Sequence, residues 1–200
     1  MGIVKTLSEK PCLNQSDATD VGQISPPQRV ALRFFLGVVA VLFALFFVAY
    51  YIRMELDDWR PMPESPVLWL NTFLLFLSSV VLQWTSLMVS KEQRNKVKIG
   101  LLLGAVTTLG FIFGQINVWQ EMSANGYIMY NNPANAFFYV LTGIHGLHLL
   151  GGLWVWTWAC FKVWSGKEII TIKLSVELCA VYWHFLLIVW LVMFALLSYT

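Results

Sequence analysis

Residues 137–152 read FFYVLTGIHGLHLLGG. Two histidines, His145 and His148, stand three positions apart in a run that is otherwise apolar from about Ala136 to Trp164. The run exceeds the roughly 20 residues that a helix needs to cross a hydrocarbon core of about 30 Å. It does not alternate apolar and polar positions, and it is too long for one strand of a membrane barrel. Only a helix then satisfies its backbone N–H and C=O groups in lipid.

Four further runs of the same kind flank it, near Val30–Ile52, Val67–Val89, Ile99–Trp119 and Val176–Tyr199. Hydrophobic residues make up 58% of the 200 and charged residues only 12%, against roughly 25% charged in a soluble domain. Mean hydropathy is +0.66. The expected fold is all-α: a polytopic membrane protein with a bundle of five transmembrane helices over residues 30–200, after a polar arm over residues 1–29. The run 136–164 is the longest, so it is expected to tilt or to pass the interface.

Eleven of the 13 lysines and arginines fall on one side of these spans. They are Lys5, Lys10, Arg29 and Arg33, then Lys91, Arg94, Lys96 and Lys98, then Lys162, Lys167 and Lys173. The opposite loops hold Arg53 and Arg60 beside Glu55, Asp57, Asp58, Glu64 and Glu121. The positive-inside rule therefore places the amino terminus in the cytoplasm and the carboxyl terminus outside. With a net charge of +2 and no isolated basic patch, nothing points to nucleic acid.

The arm contains Pro11, Pro26 and Pro27 and lacks the apolar core of a signal peptide, so the first span reads as a retained helix. Its composition is that of a flexible segment. MGIVKT matches the myristoylation pattern weakly, and Asn14-Gln15-Ser16 matches a glycosylation acceptor on the wrong side. Cys12, Cys160 and Cys179 are scattered and give neither a disulfide framework nor a zinc knuckle.

Ionisable side chains in hydrocarbon are costly and are placed for a reason. Here they are His145, His148, Glu177 and His184, with the amides Asn71, Gln83, Gln115 and Asn117 nearer the span ends. At about 100° per residue, His145 and His148 share one helix face, and Glu177 and His184 share another. At about 1.5 Å per residue, His148 and His184 reach similar depths, so they face each other if the last two helices are neighbours. Gly143, Gly146, Gly151 and Gly152 are expected to let helices approach closely around them. Tyr182 and Trp183, deep in the last span, need partners for their polar atoms. Trp59, Trp69, Trp119, Trp154, Trp158, Trp164 and Tyr199 suit the headgroup region.

The residues alone leave several readings open. A bis-histidine pair is how membrane cytochromes b hold haem, so a single-haem anchor is one. A proton relay through Glu177 is another. A di-iron centre lacks its Glu-x-x-His pairs. The preferred reading is hydrogen bonding between helices, to backbone carbonyls or to lipid headgroups.

FFYVLTGIHGLHLLGG followed by VELCAVYWHFLLIVW resembles the two signature regions of subunit III of the haem-copper oxidases. Thr142, Gly143, His145, Gly146, His148 and Gly151 match the first region. Glu177, Tyr182, Trp183, His184, Phe185, Val189 and Trp190 match the second, with the spacing from Glu to His intact. WLNTFLLFLSSVVLQW, with Asn71, resembles the family's Leu-Asn-Thr helix, and Gln115 and Glu121 fall where the family has a Gln and a Glu. The resemblance runs from about Val30 to the end and is closest to the five-span bacterial form.

The resemblance implies a non-catalytic subunit of a proton-pumping terminal oxidase in the bacterial inner membrane. Haems and copper would sit in partner subunits, with none bound by this chain. Subunit I would be the main contact, with subunit II and others nearby. Phospholipid binding, support of proton uptake, and protection of the active site during turnover are further implications. Thr142, His145, His148, Glu177, Tyr182, Trp183, His184, Gln115 and Asn71 become candidates for contacts between helices, to lipid or to a partner subunit. The sequence also departs from the family: Val39, Val118 and Leu187 stand where acidic residues are usual. These departures keep an accessory subunit of a nitric oxide reductase as the alternative.

Overall fold

A computed structural model of the chain describes residues 27–60, 65–165 and 169–199, with side chains of the last helix from residue 172. Most of the polar arm, with Cys12 and the two short modification patterns, lies outside the described residues, as do Glu64 and Lys167. The described chain is five helices: α1 Pro27–Met54, α2 Pro66–Ser90, α3 Arg94–Ala124, α4 Pro133–Trp164 and α5 Ile169–Tyr199. All five are long and apolar enough to cross a membrane.

Local chemistry sets the ends. Ser65 and Asn132 cap α2 and α4, each accepting from the backbone N–H two residues on, at 3.4 and 3.2 Å. A proline follows each cap at the first helical position, where a missing N–H costs nothing. The α2–α3 turn passes through Glu92 at φ 57°, and Gly126 takes φ 85° just after α3, the left-handed conformation common beyond a helix end. Helices outrun the apolar runs: α3 starts at Arg94 rather than Ile99 and ends at Ala124 rather than Trp119. Hydrophobicity marks the hydrocarbon span, whereas caps and turns mark the helix end. For the same reason α4, with 32 residues, is scarcely longer than α3 and α5, with 31 each.

Helices α2, α3, α4 and α5 form a closed ring in which each packs on two neighbours, while α1 lies outside against α4 and α5. Only Val39, Phe43 and Tyr50 of α1 are buried. Arg29, Arg33, Lys162 and Lys173 gather at one end, the basic end. The other end carries the Arg53–Asp58 ion pair, a Ser65 hydroxyl donating to Glu121 at 2.9 Å, and an Asn132 amide donating to the Arg60 carbonyl at 2.5 Å.

Candidate functional site

The ring interior is stitched by indoles and hydroxyls. Near the acidic end, Trp119 Nε1 donates to Thr142 Oγ1 at 3.0 Å, and Thr142 donates to its own helix at Phe138 O, 2.6 Å away. At a similar depth, the Asn71 amide donates to Gln115 Oε1 at 3.2 Å, joining α2 to α3. Trp190 Nε1 then donates to Thr72 Oγ1 at 2.9 Å, joining α5 to α2. Deeper still, Trp183 Nε1 donates to Thr108 Oγ1 at 3.3 Å, and Thr108 shares a 2.8 Å bond with Ser78. Each bond satisfies groups that would otherwise be buried at a cost of about 1–3 kcal/mol.

His145 is fully buried, and neither ring nitrogen has a hydrogen-bond partner among the described residues. Aromatic rings surround it instead: Trp190 at 5.2 Å, Phe111 at 6.0 Å and Phe43 at 6.5 Å between centroids.

His148, one turn on, bonds through Nδ1 to Ile144 O of its own helix at 2.8 Å. Its ring lies against Phe43 and Phe35 of α1, at 5.7 and 6.4 Å. The bond across the α4–α5 interface is made by Tyr182, whose hydroxyl donates to the His148 carbonyl at 2.8 Å. His184 likewise bonds its own helix, Nδ1 to Ala180 O at 2.5 Å. Both carbonyls only accept, so Nδ1 is the donor in each ring and Nε2 is left for another partner.

The sequence-based expectation that His148 and His184 face each other is therefore corrected. His148 opens on a groove between α1, α4 and α5, whereas His184 opens on one between α1, α2 and α5. Glu177 and His184 do share a face, since both line the second groove. Of the bonds expected for the histidines, those to backbone carbonyls form at His148 and His184, within their own helices; among the described residues, bonds between helices are made by Tyr182 and the tryptophans. Among the described residues, no three His, Cys, Asp or Glu side chains gather as a possible metal site.

The first groove encloses about 580 Å³ and is lined mainly by apolar side chains, among them Leu32, Phe35, Leu147 and Trp183. At the basic end it meets a wider mouth of about 790 Å³ that shares Gln28, Val155 and Leu178 with it. Arg29, Lys162 and Lys173 line that mouth. Glu177 accepts from Arg29 at 2.6 Å, lies 4.0 Å from Lys173 Nζ, and so offsets part of the positive charge.

Gly152 is where the glycines beside the histidines matter. A Cβ there would lie 2.5 Å from Tyr182 Cε1 and 2.9 Å from Trp183, while Gly146 and Gly151 have nothing within 4 Å. The other close approaches are on α3, at Gly100 against Thr85, Gly104 against Trp156 and Gly114 against Asn71. Sequence reasoning passed over Gly104 and Trp156, because neither stands beside an ionisable or amide residue of the spans. The only signal was small residues at helical spacing along α3. Val39, Val118 and Leu187 are all buried and serve packing.

Fold and site together define a polytopic helical membrane protein whose polar interior is tied by indole, phenol and hydroxyl bonds. Residues 24–200 match the family described as cytochrome c oxidase subunit III. The chain is 27% identical over 189 residues to cytochrome c oxidase subunit 3 of Thermostichus vulcanus, covering 90% of this chain and 91% of that one. It is 31% identical over 172 residues to the probable cytochrome c oxidase subunit 3 of Nocardia farcinica, covering 82% and 79%. It is 32% identical over 176 residues to that of Synechocystis sp., covering 81% and 71%. The chain belongs to the cytochrome c oxidase subunit III family, and is thus a haem-copper oxidase subunit that works in a complex with other oxidase subunits.

Proposed function

We propose that the chain is the non-catalytic subunit III of a bacterial proton-pumping terminal oxidase that reduces oxygen to water. It lies in the inner membrane with its amino terminus in the cytoplasm, packs against subunit I, supports proton uptake, and holds phospholipid between α1, α4 and α5. The observation that carries the lipid reading is the pairing of an apolar groove with a cationic mouth. Acyl chains gain from apolar walls, and Arg29, Lys162 and Lys173 suit a headgroup phosphate, which accepts charge-assisted hydrogen bonds. His145 and His148 then pack their rings across the helix seams, His148 and His184 bond to carbonyls of their own helices, and none serves iron.

The test is to purify the membrane complex through a tag on this chain, record a reduced-minus-oxidised spectrum and identify the co-purifying subunits. Haem-copper signals that stay with a large catalytic subunit after this chain is stripped away support the proposal. A haem that remains with this chain alone overturns it. Replacing His148 or His184 with leucine is expected to leave the haem bands unchanged while loosening lipid retention or attachment to subunit I.

The buried Val39, Val118 and Leu187 favour one second reading, an accessory subunit of a nitric oxide reductase, since buried carboxylates suited to proton handling are replaced there. The identity of the co-purifying catalytic subunit, and whether it consumes oxygen or nitric oxide, separates the two.

A further inference from the structure

On the other side of α1 lies a second groove of about 760 Å³, between α1, α2 and α5. Helices α1 and α2 both lie against α5 but not against each other, so α5 is the floor and the other two are the walls. Leu36, Phe185 and Ile188 give the groove an apolar lining, yet polar groups recur along its depth. Arg29 and Arg33 stand at the basic end, Gln83 and Ser86 on the α2 wall, and His184 on the floor. Gln83 is exposed two turns inside the end of α2, and His184 stands midway along α5. Arg33 and the Gln83 amide have no partner among the described residues. His184 commits Nδ1 to Ala180 O, which leaves Nε2 for a partner in the groove.

Polar groups at these depths separate two kinds of occupant. A phospholipid keeps its phosphate and esters near the interface, within reach of Arg29 and Arg33. Its acyl chains offer nothing to an amide two turns deeper or to an imidazole at mid-membrane. A second helix presents polar side chains at any depth, and hydrogen bonds of this kind join helices in membranes. We infer that the α1/α2/α5 groove seats a transmembrane helix of another oxidase subunit, with a hydrogen-bonding side chain such as Ser, Thr, Asn or Gln opposite His184 and Gln83, and a carboxylate opposite Arg33. This rests on the reading of the chain as an oxidase subunit III.

A photo-crosslinking amino acid placed at Gln83, Val181 or Ile188 in the tagged chain tests it in the intact complex. Val181 and Ile188 are 52% and 60% exposed, so both positions accept the change without disturbing the core. All three are expected to crosslink to one transmembrane segment of another oxidase subunit, one that has Asp or Glu toward its basic-end terminus. The same probe at Leu147, in the first groove, is expected to label lipid. Crosslinks from the three positions to lipid alone, to residues 1–26 of this chain, or to nothing, in a complex that retains its haem-copper subunit, overturn the inference. A complex without a haem-copper subunit overturns instead the functional reading beneath it. As a second measure, Gln83→Leu should raise the equilibrium fraction of this chain released by detergent about threefold, the scale of one interhelical hydrogen bond in a membrane. Unchanged release counts against the seat.

Discussion

At Gly152 a single hydrogen atom decides how closely α4 meets α5. Adding a methyl group drives it into Tyr182 and Trp183, and overpacking of this kind costs about 1–3 kcal/mol. Gly152→Ala is therefore expected to lower the thermal midpoint of the purified complex, while Gly146→Ala and Gly151→Ala leave it unchanged; equal effects at all three would show that the packing around Gly152 is not special. Tyr182→Phe removes only the bond to the His148 carbonyl and should cost about 0.5–1.5 kcal/mol by the same measurement. The sequence marked the right neighbourhood, since glycines crowd around the histidines. It could not rank them, because the clash partners come from another helix about 30 residues away. It likewise showed that Tyr182 and Trp183 need partners, and those partners proved to be a backbone carbonyl and Thr108.

The helices themselves were readable in the sequence because hydrocarbon forces every span to be long, apolar and internally hydrogen-bonded. Their neighbours were less so. Depth counting brought His148 and His184 to one level but not to one side, since rotation about each helix axis is set by packing that no periodicity reveals when a helix is apolar all round. Helix α5 is the hub, touching α1, α2 and α4, and its indoles reach α2 and α3 through Thr72 and Thr108. Thr108→Val strips the acceptor from Trp183 and the partner from Ser78. It should cost about 1–3 kcal/mol, seen as earlier unfolding of the bundle in a denaturant series, and an unchanged midpoint would make the network incidental. On α1, Val39 is buried, so Val39→Glu places an unpartnered acid against α4 or α5. Its expected result is a less stable complex with no gain in proton uptake. A gain would mean that the absent carboxylate is the missing part of an uptake path.

Across the whole molecule, charge and shape divide the labour. The basic end gathers three cations around the mouth of an apolar groove, and this is where lipid retention should be sensitive to charge. Lys162→Gln together with Lys173→Gln is expected to lower the anionic phospholipid that co-purifies with the complex while leaving neutral lipid unaffected. Equal loss of both kinds would point to groove shape alone. The preference for basic residues on one side was plain in the sequence, but the convergence of Arg29, Lys162 and Lys173 was not, since they come from three different helices.

The closed ring and the outlying first helix also bear on biogenesis. Of the five described helices α5 leaves the ribosome last, yet it is the one neighbour that α1 and α2 share. At a synthesis rate of about 5–20 residues per second, the earlier spans wait seconds in the bilayer with polar groups such as Thr72 and Thr108 lacking their α5 partners. A chain stalled before α5 would thus leave Thr72 and Thr108 without the indoles that bond them in the finished bundle.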